Sequence, residues 1–454
     1  MTDQGNRCHI CTGCGRCAPG GKREEQMKVV TASFLLPGRK EPEGSALRRE
    51  EAGPGEGALR REEAGPGEGI LRREEAGPGE GTLRREEAGP GEGTLRREEA
   101  GPEEELAIAD LGTTTIAMEW YDGRGEKRGQ YVCPNPQRVF GTDVISRIQA
   151  AENPLLLRQM QQLARQALEQ GIACCRQQGG NPERLVIAGN TTMLYLLKGH
   201  DPAPLGRAPF HAAYLTQEKL EVGGVETVTL PGLSAFVGAD IAAGMLACGM
   251  DRAKDVTLLV DLGTNGEMAL GNRDKMICCG TAAGPAFEGG GDLWGADMIA
   301  LTAKLLERGL TDETGLLAEP FFESGVLIGD MHITQERIRQ LQTAKAAVCA
   351  GIRTLIAAYG LDGPEQIRQV WLAGGFGYFL NVEAAITLGL LPQGLAGRVT
   401  AVGNTALAGA WIYGNEPDAG ERLNRLRAVA QVLNLAEQQG FESCFVEAMY
   451  LRRI

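Results

Sequence analysis

One pattern occurs twice in this chain, and any fold has to accommodate both copies. Leu106-Ala-Ile-Ala-Asp110-Leu-Gly112-Thr113-Thr114-Thr115-Ile-Ala-Met-Glu-Trp120 reads as strand, tight turn, strand. Thr257-Leu-Leu-Val-Asp261-Leu-Gly263-Thr264-Asn265-Gly266-Glu267-Met-Ala-Leu270 reads the same way. Each hairpin is followed by a helical stretch, a Gly-rich break and a short strand ending in glycine. In the first copy these are Leu155 to Gln177 and Arg184 to Gly189; in the second they are Ile333 to Tyr359 and Gln369 to Gly377. Recurrence of the whole order predicts an α/β protein of two similar lobes, residues 106–254 and 255–454, with a cleft between them.

The hairpins carry chemistry as well as shape. A carboxylate at the end of a buried strand is costly unless a cation or donors compensate it, and Asp110 and Asp261 both stand there. Gly112 and Gly263 let the backbone turn tightly. Thr113, Thr114, Thr115, Thr264, Asn265 and Gly266 then offer N–H and side-chain donors in a short concave turn, an anion nest. Phosphates there bring Mg²⁺, which keeps several waters and favours few carboxylates. A single Asp-Gly turn is ordinary hairpin chemistry; two in matching context point to a nucleotide. Gly374-Gly375-Phe376-Gly377, and Gly403-Asn404-Thr405 after Val399-Thr-Ala-Val, are Gly-rich turns that let backbone approach a ring or a phosphate. Cys279 to Gly291 is dense in small residues and contributes one carboxylate, Glu288. Asp143 suits a helix N-cap or the cleft. His200, His211 and His332 lack metal spacing, and Cys174, Cys175, Cys248, Cys349 and Cys444 are expected as buried thiols without chemistry.

The first hundred residues are different. Leu-Arg-Arg-Glu-Glu-Ala-Gly-Pro-Gly-Glu-Gly starts at Leu47 and recurs at Leu59, Leu71 and Leu83, and at Leu95 with Glu103-Glu-Glu in place of the final Gly-Glu-Gly. One large apolar residue per unit, broken each time by Gly-Pro, cannot bury a core, so residues 23–105 are expected to be a disordered, charged linker. Ahead of it, residues 1–22 hold Cys8, Cys11, Cys14 and Cys17. The start lacks a signal-peptide pattern and no apolar run is long enough for a bilayer, so a cytoplasmic protein with no membrane association is expected. In that compartment clustered thiols suggest metal rather than disulfide. A net charge of −13 supplies no basic surplus for nucleic acid.

From Leu106 onward the chain resembles the ASKHA-type ATPases (the actin, sugar kinase and Hsp70 fold, ribonuclease H-like in each lobe) that reductively activate corrinoid proteins. The matching stretches are Ala109 to Thr115, Phe140-Gly-Thr-Asp-Val-Ile-Ser-Arg-Ile148, Ile187 to Met193, Val260 to Glu267, Gly280 to Gly289, Gln342 to Val348, Leu372 to Gly377 and Val402 to Ala410. The resemblance implies that Asp110, Thr113, Thr114, Asp261, Thr264 and Asn265 hold Mg-ATP phosphates and that Gly374, Gly375 and Phe376 lie beside the adenosine. It implies one-electron reduction of a Co(II) corrinoid in a cobalamin-dependent methyl-transfer protein, with electrons from a low-potential donor, and it admits a homodimer. Relatives carry a ferredoxin-like domain with Cys-x5-Cys-x2-Cys. Cys8, Cys14 and Cys17 have that spacing, but the rest of such a domain has no counterpart here. With Cys11 the run also approximates a [4Fe–4S] ligand set. A [2Fe–2S] or [4Fe–4S] cluster, zinc and no metal all stay open for these residues. Two other functions suit the same fold: a small-molecule kinase, with Asp143 or Asp240 as its base, and a nucleotide-switched binding protein without redox activity.

Overall fold

The apolar run ahead of Asp110 forms strand β1 (Leu106–Leu111), which turns at Gly112 into β2 (Thr115–Tyr121), itself paired with β3 (Lys127–Pro134). The computed structural model describes residues 104–263, 265–287, 295–329 and 331–454. Cys8, Cys11, Cys14, Cys17 and the repeat therefore lie outside the described residues, as do Thr264 and Glu288.

β4 (Arg184–Gly189) runs parallel beside β1, β6 (Val225–Thr229) parallel beside β4, and β5 (Glu218–Val222) closes the edge antiparallel to β6. The resulting order is β3-β2-β1-β4-β6-β5. The second lobe repeats the plan. β7 (Thr257–Leu262), β8 (Gly266–Asn272) and β9 (Lys275–Thr281) form the meander, and β12 (Gln369–Ala373) and β13 (Val399–Gly403) add parallel strands on the far side of β7. The short β14 (Ala430–Val432) finishes that sheet beside β9, and Val326–Ile328 and Met331–Ile333, β10 and β11, make a separate ribbon. The expected architecture of two similar α/β lobes is what the chain adopts.

Equivalence extends to single residues. A long helix covers each sheet: Pro154–Gln177 in the first lobe and Gln335–Tyr359 in the second. The first buries Met160, Ala164, Leu168 and Ile172, a four-residue stripe that faces the sheet. Cys174 falls off that stripe and is half-exposed, as is Cys444, whereas Cys175, Cys248 and Cys349 are buried as expected. The second helix starts two residues later than expected because the Thr334 hydroxyl accepts from the Arg337 amide and ends the preceding strand. Gly171 lies so close to Met118 that a Cβ there would stand 2.2 Å from its sulfur, and Gly351 approaches Met268 in the same manner at 2.4 Å. Met118 is opposite Ala109 and Met268 opposite Val260, the residues just before Asp110 and Asp261.

Two helices, Ala239–Ala247 and Thr405–Asn415, pack between the sheets. Glycines set their separation: a Cβ on Gly409 would stand 2.1 Å from the Ala243 carbonyl oxygen, and one on Gly244 2.8 Å from the Thr405 hydroxyl. The apolar cluster around them takes in Ile108 and Ile187 of the first lobe with Leu259, Ala269 and Cys278 of the second. The chain therefore returns from the second lobe to seal the first, and Ala406, Ala410 and Leu423 are buried in that shared core. Among the described residues no helix is long and apolar enough to cross a membrane.

Candidate functional site

Parallel strands present their carboxyl ends on one side of a sheet, and in open α/β folds ligands collect there. Asp110 pairs across β1–β4 with Ala188, and Asp261 pairs across β7–β12 with Ala373, so the two carboxylates occupy equivalent places in the two lobes. The small neighbours leave room above each. Gly374, at a φ of +83°, is needed because a Cβ there would lie 2.6 Å from the Leu262 carbonyl oxygen and 2.8 Å from Asp261 Oδ1. Gly189 makes the corresponding close approach to Leu111 in the first lobe.

Two asparagines connect helix starts to the first hairpin. Asn404 caps the Thr405–Asn415 helix by accepting from the Leu407 amide at 2.9 Å, and its amide donates to Asp110 Oδ2 at 2.8 Å. Asn190 caps the Thr191–Lys198 helix through the Met193 amide at 3.0 Å and donates to Thr113 Oγ1 at 2.9 Å. The capping oxygen settles which end of each amide faces the hairpin. Asn404 thus ties a strand end of the second lobe to the carboxylate of the first.

Two further acids join the group. Asp240, at the start of the Ala239–Ala247 helix, accepts from the Ile241 amide. Glu267 faces Asp261 across β7–β8, at the position where the first lobe has Ala117. Burial pushes Asp110 up to about 6, with the Asn404 hydrogen bond opposing. Burial, then the charges of Asp240 and Asp110, push Asp261 up to about 8. Asp240 is raised by burial, and Glu267 well above its ordinary range by burial and by the charges of Asp240 and Asp261. Carboxylates from both lobes therefore repel one another in a desolvated space, an environment that favours a cation. Among the described residues no three or more His, Cys, Asp or Glu are close enough to hold a metal ion directly.

The remaining expected residues are placed as follows. Gly112 donates its N–H to the Thr115 carbonyl at 3.0 Å, closing the first turn; Gly263 does likewise to Asn265 at 3.0 Å, and the Asn265 side chain bonds the Glu267 carboxyl. Thr113 is buried and Thr114 exposed. Gly266 starts β8, where a Cβ would stand 2.7 Å from the Thr281 hydroxyl. Gly374, Gly375 and Phe376 open a short helix, and Phe376 stacks on Phe287 at 4.5 Å. Gly403 has a φ of +74° just ahead of Asn404. Asp143 is committed to capping: it accepts from the Ser146 amide at 2.9 Å and hydroxyl at 2.7 Å, which removes one candidate base for a kinase. His200 pairs with Glu218 and stacks on Tyr214, away from the hairpins. Sequence reasoning missed Glu267, Asn190, Asn135, Arg147 and Phe287 as parts of the site. The repeated Gly-Asn-Thr, at Gly189 and again at Gly403, was the available signal for Asn190.

Comparison with known proteins covers both lobes. A family model described as the RACo middle region matches residues 106–253, and one described as the C-terminal domain of RACo, the ASKHA domain, matches 255–304 and 293–454. The corrinoid activation enzyme RamQ of Eubacterium limosum is 29% identical over 411 residues, covering 74% of this chain and 68% of that protein. The [Co(II) methylated amine-specific corrinoid protein] reductase of Methanosarcina barkeri is 25% identical over 301 residues, covering 50% of this chain and 54% of that one. A solved structure titled reductive activator for corrinoid, iron–sulfur protein superposes with a TM-score of 0.70 at 29% identity, over 78% of this chain and 67% of its own.

Proposed function

The chain belongs to the RACo family, and from that membership we propose that it is an ATP-dependent reductive activator, returning a Co(II) corrinoid protein to Co(I) by one electron. One observation carries the ATP part: Asp110 and Asp261 stand at equivalent strand ends of the two lobes, where burial raises both and the Asp110 charge raises Asp261 further. Mg²⁺, when bound, supplies the positive charge that relieves this repulsion and neutralises phosphate oxygens. Asp110 and Asp261 hold its waters. Thr113, Thr114, Thr115, Thr264, Asn265, Gly112, Gly263 and Gly266 take the phosphates, and Gly374, Gly375 and Phe376 lie along the adenosine with Phe287 behind. Asn404, just after Gly403, holds Asp110 in place through its side-chain amide. Glu288 belongs to the site on its place in the small-residue loop.

Reduction of a Co(II) corrinoid is unfavourable with ordinary donors; for one electron each ~59 mV of deficit costs about 1.4 kcal/mol. The two lobes answer this by having different affinities for the nucleotide and the corrinoid protein when open and closed, as any coupled switch requires. Cys8, Cys11, Cys14 and Cys17 would hold an iron–sulfur cluster of the [2Fe–2S] or [4Fe–4S] type, which supplies one-electron transfer when bound.

The test combines the anaerobic full-length protein with a low-potential reductant, Mg-ATP and a corrinoid methyl-transfer protein, and follows the Co(I) absorption band. The band is expected only with ATP present. Cys14→Ala should lose the band and keep ATP binding, and Asp261→Ala should lose both. Equal reduction without ATP would show that the nucleotide does not drive the step.

A further inference from the structure

The family-like stretch Phe140 to Ile148 contributes nothing to the phosphate turn by sequence proximity, yet it contains a fully buried arginine. Arg147 is 0% exposed. Its Nη2 donates to the Thr113 carbonyl at 2.7 Å and its Nε to the Gly141 carbonyl at 2.9 Å. Asn135, also 0% exposed, donates from Nδ2 to the Gly112 carbonyl at 2.8 Å and from its backbone N–H to the Thr114 carbonyl at 2.8 Å. The two side chains form one cluster, since both reach Met193 Sδ and Gln137 Oε1. Three successive carbonyls of the first hairpin turn are thus drawn toward the same buried polar group.

A trans peptide is planar, with the N–H of one residue antiparallel to the C=O of the residue before it. Drawing the Gly112 and Thr113 carbonyls inward therefore turns the Thr113 and Thr114 amides outward, away from the cluster. Successive amides facing one way are the geometry of an anion nest. Without the two side chains, the Gly112 and Thr113 carbonyls would lose their partners at a desolvation cost, and the turn would rotate to relieve it.

Building on the ATP-binding reading above, we propose that Arg147 and Asn135 are positioning residues that lock the Gly112–Thr114 turn in its phosphate-accepting conformation. Neither touches the nucleotide; they set the direction of the amides that do. The arginine's planar fork serves two carbonyls at fixed angles, which a lysine ammonium on a flexible stem cannot reproduce. The motif around it exists to place that fork. A Cβ on Gly141 would stand 2.4 Å from the Ser146 Cβ, so only glycine lets the chain reverse there, and Asp143 then starts the helix that carries Arg147.

The experiment titrates Mg-ATP and, separately, adenosine into full-length wild type, Arg147→Lys and Asn135→Ser, with far-UV circular dichroism as the check on folding. Adenosine shares the base and sugar but has no phosphate. Affinity for ATP is expected to fall about tenfold in each variant, about the worth of one hydrogen bond, while adenosine affinity stays within about twofold. A merely structural role would weaken both ligands together, and that result overturns the assignment, as does unchanged ATP affinity in the variants. Should one variant fail to fold, the other decides by the same ratio. If wild type itself binds no Mg-ATP, the nucleotide reading falls and this assignment with it, an outcome distinct from variants that match a binding-competent wild type.

Discussion

Replacing Asp261 by asparagine should make the nucleotide-free protein more stable at pH 8 and remove its response to Mg-ATP. The carboxyl titrates near 3.8 when unfolded and is pushed up to about 8 in the fold by burial and by Asp240 and Asp110. A carboxyl raised in this way contributes stability that is complete below its unfolded value and is lost as pH climbs through the folded one. Nucleotide-free wild type should therefore lose stability between about pH 4 and pH 8 on this account. At pH 7 the gap from 3.8 corresponds to a ceiling of about 4 kcal/mol at ~1.36 kcal/mol per unit. Asp261 keeps partial solvent exposure, and the resulting screening roughly halves it, leaving about 2 kcal/mol. With an unfolding entropy of about 2.1 cal/mol/K per residue over about 350 residues, that is a rise of about 3 °C in Tm. Thermal melts at pH 5.5 and pH 8, with and without Mg-ATP, are the assay. The variant should melt higher than wild type by at least this much at pH 8, by roughly half of it at pH 5.5, and show no shift with Mg-ATP. Wild type at ~100 times its Kd should gain about 2.7 kcal/mol. A variant that melts no higher at pH 8, or that keeps the nucleotide shift, would refute the reasoning.

Asn404→Ala removes the donor to Asp110 and one hydrogen bond between the lobes; calorimetry should show Mg-ATP binding weakened by about 1–2 kcal/mol. Gly409→Ala places a methyl 2.1 Å from the Ala243 carbonyl oxygen, so the two central helices must separate, and chemical denaturation should report a loss of about 2 kcal/mol or more. Lys345 is buried with its ammonium donating to the Ala448 and Tyr450 carbonyls. Lys345→Met removes the side-chain donor from both carbonyls, of which Tyr450 keeps the Arg452 amide, costing about 1–3 kcal/mol, and hydrogen exchange should quicken first in the Phe441–Ala448 helix.

Much of the site was legible because it is local. Asp110, Gly112 and Thr113 lie in a single turn, and the same arrangement returns at Asp261, so a reader of the sequence sees both halves. The partners of those residues were less visible. Asn404 lies 294 positions from Asp110, and a Gly-Asn-Thr run at a strand end reads as a helix cap, which it also is. Glu267 sits on a strand buried on both faces, where nothing local marks it as the residue that faces Asp261. Arg147 in an amphipathic helix reads as a surface residue, because the buried carbonyls that receive it belong to a turn 34 positions earlier.

Interactions within about one turn or one hairpin depend on residue order alone, so the sequence by itself determined the two strand–turn–strand units, their glycines, their acids and the helix caps that follow. Tertiary structure decided everything that depends on which surfaces meet. It brought the Thr405–Asn415 helix back onto the first lobe, where Gly409 and Gly244 permit close contact. It placed Asp110, Asp240, Asp261 and Glu267 near enough that Asp110 raises Asp240 and Asp261, and Asp240 and Asp261 raise Glu267. The physical reason is range: backbone preference acts over a few residues, whereas desolvation and Coulomb repulsion act between groups that only packing makes neighbours.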